Sequence, residues 1–360
     1  MRGETTPGNE SLGIILAAHP QEKHYFARPA FAGSCVETYL GKKWVWQIPK
    51  IVKERKSDHS LLIVTVPHIL HMVSHAPRCF YVPCWIWGEI DIPTKRSIIV
   101  KNKNTSLKSD ISKIRKNNLE FEVTHQLSQL HNFYYNMYVP YISQSHGDRS
   151  YFRDYRFVET EFSKQGFFKD LLLVKKQEEY IAGVLLRYQD KTAELSILGI
   201  KDGNSNYVRD GAIGALFYFS VCYAAQKGFR KITFGESRPF LKDGVLRYKK
   251  KWNQRLTRER KPGFLIKALS KTGGVKGFFL NNPFIYKNKA GYYGAIFVVS
   301  GHSLSKEVCT KIYKDYFIPG LTKLVIYQFG SVNAETQDIV YPEYAEKITV
   351  RSADSIFCNV

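Results

Sequence analysis

The segment from residue 171 to 234 constrains the fold more than any other part of the chain. Three apolar runs, at 171–174, 181–187 and 193–200, have strand character. A charged turn at 175–179 joins the first two and a short turn at 189–191 joins the next two, so all three are expected to lie antiparallel. A polar loop at 204–210 follows. An apolar helix is expected over 211–226, stopped at Gly228, and then a short strand at 231–234. Upstream, the spacing of Leu127, Leu130, Phe133 and Tyr134 predicts a helix over 123–135, ending near Pro140. Helix, three antiparallel strands, helix, strand is the order of a mixed α+β layer.

The flanks are less regular. Residues 1–100 hold short apolar runs at 43–48 and 61–66, read as strands, with a charged turn at 53–58. The stretch 95–116 carries Lys95, Arg96, Lys101, Lys103, Lys108, Lys113, Arg115 and Lys116 against Asp110 alone, and reads as a solvated connection. Beyond 264, strands are expected at 292–300 and 323–329, with a helix from Ser305 between them and a polar extension over 331–360. The expected organisation is therefore 1–110, 111–262 and 263–360, with the last part set to fold back on the first.

The chain has 360 residues, enough for about two domains. Hydrophobic residues make up 44%, which excludes wholesale disorder. Lys and Arg total 53 against 32 Asp and Glu, a net charge of +21, so the partner is expected to be anionic. In 242–261 alone, Lys242, Arg247, Lys249, Lys250, Lys251, Arg255, Arg258, Arg260 and Lys261 face only Asp243 and Glu259. Six cysteines, Cys35, Cys79, Cys84, Cys222, Cys309 and Cys358, show no repeated pair spacing, which argues against a zinc ribbon and for reduced thiols. The polar opening and the short apolar run at 14–18 do not make a secretory signal, and the run at 61–66 is strand-sized. A cytoplasmic protein with no membrane span is the expectation.

Two stretches carry chemistry. In the first, Arg209-Asp210-Gly211-Ala212-Ile213-Gly214-Ala215 opens the expected helix. Small residues at a helix start let a pyrophosphate approach free N–H groups, but they equally let a helix pack closely on a sheet. In the second, the strand end Phe234-Gly235-Glu236-Ser237-Arg238-Pro239 runs through Asp243-Gly244 into Tyr248-Lys249-Lys250-Lys251-Trp252. A charge run of this kind is also an ordinary solvated face.

These segments resemble the GNAT superfamily, in the branch of the Fem-type peptidoglycan aminoacyltransferases and related polysaccharide-associated acetyltransferases. The likeness covers 112–252 and lies in Asn136-Met137-Tyr138-Val139-Pro140 with His146-Gly147, in Glu179-Tyr180-Ile181-Ala182-Gly183, in the helix 211–228, and in the paired signature around Phe234 and Trp252. Residues 1–100 are more loosely similar to the first half of such proteins, at Val66-Pro67 and Ala76-Pro77-Arg78-Cys79-Phe80. Two departures are visible: Arg209 stands out of the usual loop register, and Tyr248 takes a place where Phe is commoner.

The resemblance implies two GNAT-like half-domains, each a mixed, mostly antiparallel sheet flanked by helices. It implies acyl transfer to an amine from acyl-CoA, acetyl-CoA foremost, or from an aminoacyl-tRNA. The implied acceptor is an anionic sugar nucleotide, a glycan or a lipid-linked cell-wall precursor, at the cytoplasmic membrane face. A non-catalytic anionic-polymer binder on the same scaffold is the alternative of a different class. On this reading Ile197, Leu198 and Gly199 offer backbone groups to the donor's arm. Arg209, Gly211, Ala212, Gly214 and Ala215 receive its phosphates. Glu236 is the base, Tyr248 the acid for the leaving group, and Lys249 an oxyanion or phosphate partner. Arg238 and Arg247 clamp an acceptor phosphate or carboxylate. The bland alternatives are an ion pair for Glu236 with Arg238 or Arg247, and core packing for Tyr248.

His68, His71 and His75 have helical spacing, but no Cys, Asp or Glu completes a ligand set, so no metal is expected. Trp44 with Trp46, and Trp85 with Trp87, have strand spacing. They suit either an acceptor groove that stacks sugars or packing on a sheet.

Overall fold

The computed structural model describes residues 1–5, 10–68, 78–92, 105–147, 152–257, 262–299, 305–330 and 346–357. His71, His75, Ala76, Pro77, Lys95, Arg96, Lys101, Lys103, Arg258, Glu259, Arg260, Lys261 and Cys358 lie outside them, as does the polar stretch 331–345. The chain forms two compact units. The first joins Met1–Ile86, Ser237–Tyr248 and Leu256–Val360, and the second joins Trp87–Glu236 and Lys249–Arg255. Each is a mixed sheet with helices against it.

The first unit holds β1 (Arg2–Glu4), β2 (Ser11–Ala17), β3 (Leu61–Val66), β4 (Cys79–Pro83), β12 (Gly263–Ala268), β13 (Phe284–Asn288), β14 (Gly291–Val299), β15 (Leu321–Phe329) and β16 (Ile348–Ser352). They form one nine-stranded sheet in the order β1-β2-β3-β12-β4-β13-β14-β15-β16. Thus β12, from late in the chain, lies between β3 and β4 and pairs antiparallel with both. The pairs β2–β3, β14–β15 and β15–β16 are parallel. Strands β14 and β15 are apolar on both faces, as parallel strands covered on both sides require. Phe80 anchors the core, with its ring 5.1 Å from Phe284, 5.2 Å from Tyr286 and 5.6 Å from Tyr327.

The second unit holds β5 (Trp87–Asp91), β6 (Leu119–Thr124), β7 (Asp170–Lys176), β8 (Glu179–Gln189), β9 (Thr192–Ile200) and β10 (Lys231–Thr233). Their order is β5-β10-β9-β8-β7-β6. The three runs at the centre of the sequence are the antiparallel ladder β7-β8-β9. The helix Ala212–Gln226 then returns the chain so that β10 lies parallel to β9. A further short strand, β11 (Arg255–Thr257), lies where the chain passes back to the first unit.

Four local expectations change. The run at 43–48 is not a strand: a 3₁₀ turn, Val45–Gln47, leads into the helix Ile48–Arg55. Alternating aromatics suggested a strand, but Ile48, Ile51 and Val52 have helical spacing, and Pro49 sits in the first turn, where its missing N–H is harmless. The helix expected from 123 starts at Leu127, because Leu119–Thr124 pairs with β7. It continues through a π segment, Tyr134–Tyr138, into Val139–His146, whose first turn accepts Pro140. The loop at 204–210 contains a short helix, Ser205–Asp210, capped by the Asn204 side chain, which accepts from the Asn206 N–H at 2.9 Å. Finally, Thr105–Lys116 is a helix, since Leu107, Ile111 and Ile114 recur at helical spacing and are buried.

Candidate active site

The site begins where β10 ends. In the parallel register Lys231, Ile232 and Thr233 face Thr192, Ala193 and Glu194. Beyond Glu194, β9 has no partner in β10, so its residues 195–200 pair through β8 alone. Ser196 is the extra residue of a bulge there, because Leu185 faces Ile197 and Leu186 faces Leu195. The chain leaving β10 is fixed by Phe234, whose ring packs 4.3 Å from Phe217 and 5.7 Å from Trp252. Gly235 then turns with φ +72°, a conformation that glycine adopts without strain.

That turn aims two carbonyls at one side chain. Lys249 is buried, and its Nζ donates to the carbonyl oxygens of Gly235 at 2.9 Å and Glu236 at 2.7 Å. A buried ammonium needs such partners, and here they are the backbone on either side of the peptide that presents Glu236. The Glu236 side chain is held in turn by Trp87, whose indole N–H donates to Oε1 at 3.0 Å. Glu236 is half-buried.

A second carboxylate belongs to this neighbourhood, and it was not anticipated. Glu194 of β9 pairs with Arg187 of β8 at 2.5 Å. The Arg187 guanidinium lies over the Phe167 ring, 4.6 Å from its centroid, and that of Arg153 lies 5.6 Å from the same ring. The Arg153 backbone is gripped from both sides: Tyr134 donates its hydroxyl hydrogen to the Arg153 carbonyl at 2.6 Å, and the Arg153 N–H donates to the Tyr138 hydroxyl at 3.2 Å. Burial pushes Glu194 above the ordinary carboxylate range and the charge of Glu236 adds to it, against the hydrogen bond and charge of Arg187 and the charge of Arg153. A carboxyl raised by burial exchanges a proton more readily near neutral pH than an exposed one.

The residues expected to hold a donor are distributed differently. Gly199 lies against the π segment: an added Cβ would fall 2.7 Å from the Met137 carbonyl oxygen. Ile197 is buried and Leu198 half-buried. Gly211, Ala212, Gly214 and Ala215 are all buried. A Cβ at Gly211 would lie 2.9 Å from Lys113 Cβ, and one at Gly214 3.0 Å from Asp110 Cβ. The small size of these two glycines therefore serves close packing against the helix Thr105–Lys116. Arg209 is exposed and donates to the Asn206 side chain. The feature that suits a donor's amide-bearing arm is the β9 edge beyond Glu194.

Glu236 and Lys249 are thus brought together in the second unit. Arg238, Arg247 and Tyr248 belong to the first. There the Arg238 guanidinium lies 5.0 Å from the centre of the Tyr25 ring, and the Tyr25 hydroxyl donates to the Cys84 carbonyl at 2.6 Å. Arg247 is exposed and Tyr248 half-buried. His68 lies 2.7 Å from Lys287 through its Nε2. Among the described residues no group of His, Cys, Asp and Glu is placed to hold a metal, and no helix is long and apolar enough to cross a membrane.

The fold and site define a mixed α/β protein with a pinned carboxylate at a strand divergence. No protein-family model and no curated protein matches the chain. Among solved structures it is similar to FemX, with 11% identity over 74% of this chain and 83% of that one and a TM-score of 0.39. It is similar to L-PGS from Bacillus licheniformis, with 12% identity over 66% of this chain and 78% of that one and a TM-score of 0.37. It is also similar to a GCN5-related N-acetyltransferase from Sphaerobacter thermophilus, with 11% identity over 70% of each chain and a TM-score of 0.30. Likeness at this level bears on neither substrate nor activity.

Proposed function

We propose that the chain is an N-acyltransferase that moves an acyl group, acetyl in the simplest case, from acyl-CoA to an amine on a sugar nucleotide, glycan or cell-wall precursor. The observation that carries this reading is Glu236, held by Trp87 through its carboxylate and by Lys249 through its backbone, at the point where β10 leaves β9. The signature around Phe234 and Trp252, with its resemblance to GNAT-type acyltransferases, supports the same reaction class.

An acceptor amine arrives as the ammonium. Glu236 takes one proton, directly or through water, and the free nitrogen attacks the thioester carbonyl. A C–N bond forms, the C–S bond breaks, and the second nitrogen proton ends on the leaving sulfur. Lys249 acts here as a positioning residue, because its Nζ reaches the 235–236 carbonyls. The donor's arm is placed along the β9 edge at Ile197, Leu198 and Gly199, with Arg209 as the exposed cation for its phosphates.

The test is acyl transfer by the purified chain, read as thiol release from acetyl-CoA with a panel of amino sugars, together with thermal stabilisation by CoA. Glu236→Gln is expected to lower kcat by roughly 10²–10⁴-fold and leave the thermal shift in place. No shift with any acyl-CoA and no thiol release sinks the reading. Salt-sensitive tRNA binding coupled to aminoacyl transfer replaces acyl-CoA by aminoacyl-tRNA as donor.

A further inference from the structure

The five most exposed large hydrophobic side chains among the described residues all lie between 36 and 46: Val36, Tyr39, Trp44, Val45 and Trp46. Trp44 and Trp46 are each 67% exposed, and their rings stack with centroids 4.9 Å apart and planes 7° from parallel. The 3₁₀ turn that carries them is closed locally, with the Trp44 N–H donating to Gln47 Oε1 at 2.9 Å, and it buries none of its residues. Its base is anchored, since Ile48 packs against the cluster of Val64, Val66 and Tyr81. Among the described residues, two indoles are therefore held outward on an anchored turn and left largely uncovered.

The charges flanking them along the chain are nearly all positive. Between 39 and 56 the chain carries Lys42, Lys43, Lys50, Lys53, Arg55 and Lys56 against Glu54 alone. All except Arg55, which is half-buried, are exposed. The helix Ile48–Arg55 that presents three of them has no fully buried residue.

We propose that residues 39–56 are a docking patch for an anionic bilayer surface. The Trp44–Val45–Trp46 turn enters the headgroup boundary, and the lysines pair with lipid phosphates around it. An indole has an apolar body and a polar N–H, which suits that boundary. Shallow apolar insertion and a polybasic cluster are each weak alone, and stable surface attachment takes both signals. Both are present in one short segment, on a chain in which no described helix can span. A glycan platform is the competing occupant and fits less well. Each indole covers one face of the other, and the amide beside them, Gln47, already spends its Oε1 on the Trp44 N–H, where a sugar's hydroxyls call for several amide and carboxylate partners. The inference stands on this segment alone and does not depend on acyl transfer.

The experiment is co-sedimentation of the full chain with vesicles of phosphatidylcholine alone and of phosphatidylcholine with phosphatidylglycerol, read beside tryptophan fluorescence. Sedimentation is expected with the anionic vesicles only, with a blue shift of indole emission, and it weakens as salt rises. Trp44→Ala with Trp46→Ala is expected to lower the partition coefficient at least roughly tenfold and remove the blue shift, while each Lys→Ala at 42, 43, 50 or 53 lowers it roughly fivefold. Unchanged circular dichroism and melting show that these exposed substitutions leave the fold intact. Failure of the wild-type chain to sediment with anionic vesicles at low salt overturns the proposal. So does equal sedimentation of the double Trp variant, or indole quenching by soluble glycans with no response to vesicles.

Discussion

Lys249 shows how much one buried side chain can decide. Its Nζ satisfies two carbonyls at the turn that presents Glu236, so Lys249→Met leaves both acceptors without their charged donor. The expected loss is about 1–3 kcal/mol, read by urea denaturation, with acyl transfer falling in the fraction that remains folded. Asp170 is a second such residue. It is 2% exposed, and it accepts hydrogen bonds from Tyr188, from Tyr223 at 2.8 Å and from His125 at 2.7 Å, with Lys227 at 3.4 Å. Burial pushes its carboxyl up, but these hydrogen bonds and the Lys227 charge outweigh burial and hold it below the ordinary value of 3.8. A lowered folded-state value means that the stabilisation is fully present above pH about 4 and is lost as pH falls from there. Melting temperature is therefore expected to drop below pH about 4 in the wild-type chain, and Asp170→Asn is expected to flatten that acid limb from a lower plateau. Glu236 and Lys249 were legible in the sequence because the strand end and the basic-aromatic run that follows it form a continuous local pattern. Glu194 and Arg187 were not, because they meet through the β8–β9 register, and Trp87 reaches Glu236 from 149 residues away.

At the scale of elements, close approach explains what composition left open. The glycines at the start of the helix Ala212–Gln226 could have served either a phosphate or a neighbour, and at Gly211 and Gly214 that neighbour is the helix Thr105–Lys116. No local pattern distinguishes the two, since both need the same small residues. Gly199 gives the sharpest test. Gly199→Ala places its Cβ among the backbone atoms of Met137 and Tyr138, which cannot move without shifting the π segment off the sheet. A loss of about 1–3 kcal/mol is expected by thermal melting. Gly33→Ala, where nothing lies within 4 Å, is expected to be close to neutral. The strands β7, β8 and β9 were readable because short turns join them. The 3₁₀ turn Val45–Gln47 carries a strand-like alternation of aromatics, but alternation is a strand signal only where a partner strand pairs with it.

Across the whole molecule, the last third of the chain supplies most of the first unit's sheet. Within that sheet β12 is hydrogen-bonded to β3 on one side and β4 on the other. No local pattern could give that order, because strand pairing across such a separation leaves no mark in the intervening sequence. A chain ending at residue 261 is therefore expected to lose the first unit, with β3 and β4 left without the strand between them. Hydrogen exchange is expected to show protection retained in the ladder β7-β8-β9 and lost in β3 and β4. The same arrangement sets a schedule for synthesis. Most of the second unit, Trp87–Glu236, leaves the ribosome as one uninterrupted piece and can begin to fold early. The strand β3 must wait for β12, roughly 200 residues later, which at ordinary translation rates is about 10–40 s. Through that interval the nascent chain holds apolar strand edges open, so chaperone occupancy on partly translated chains is expected to concentrate on residues 61–66 and 79–83 and to end once β12 has emerged.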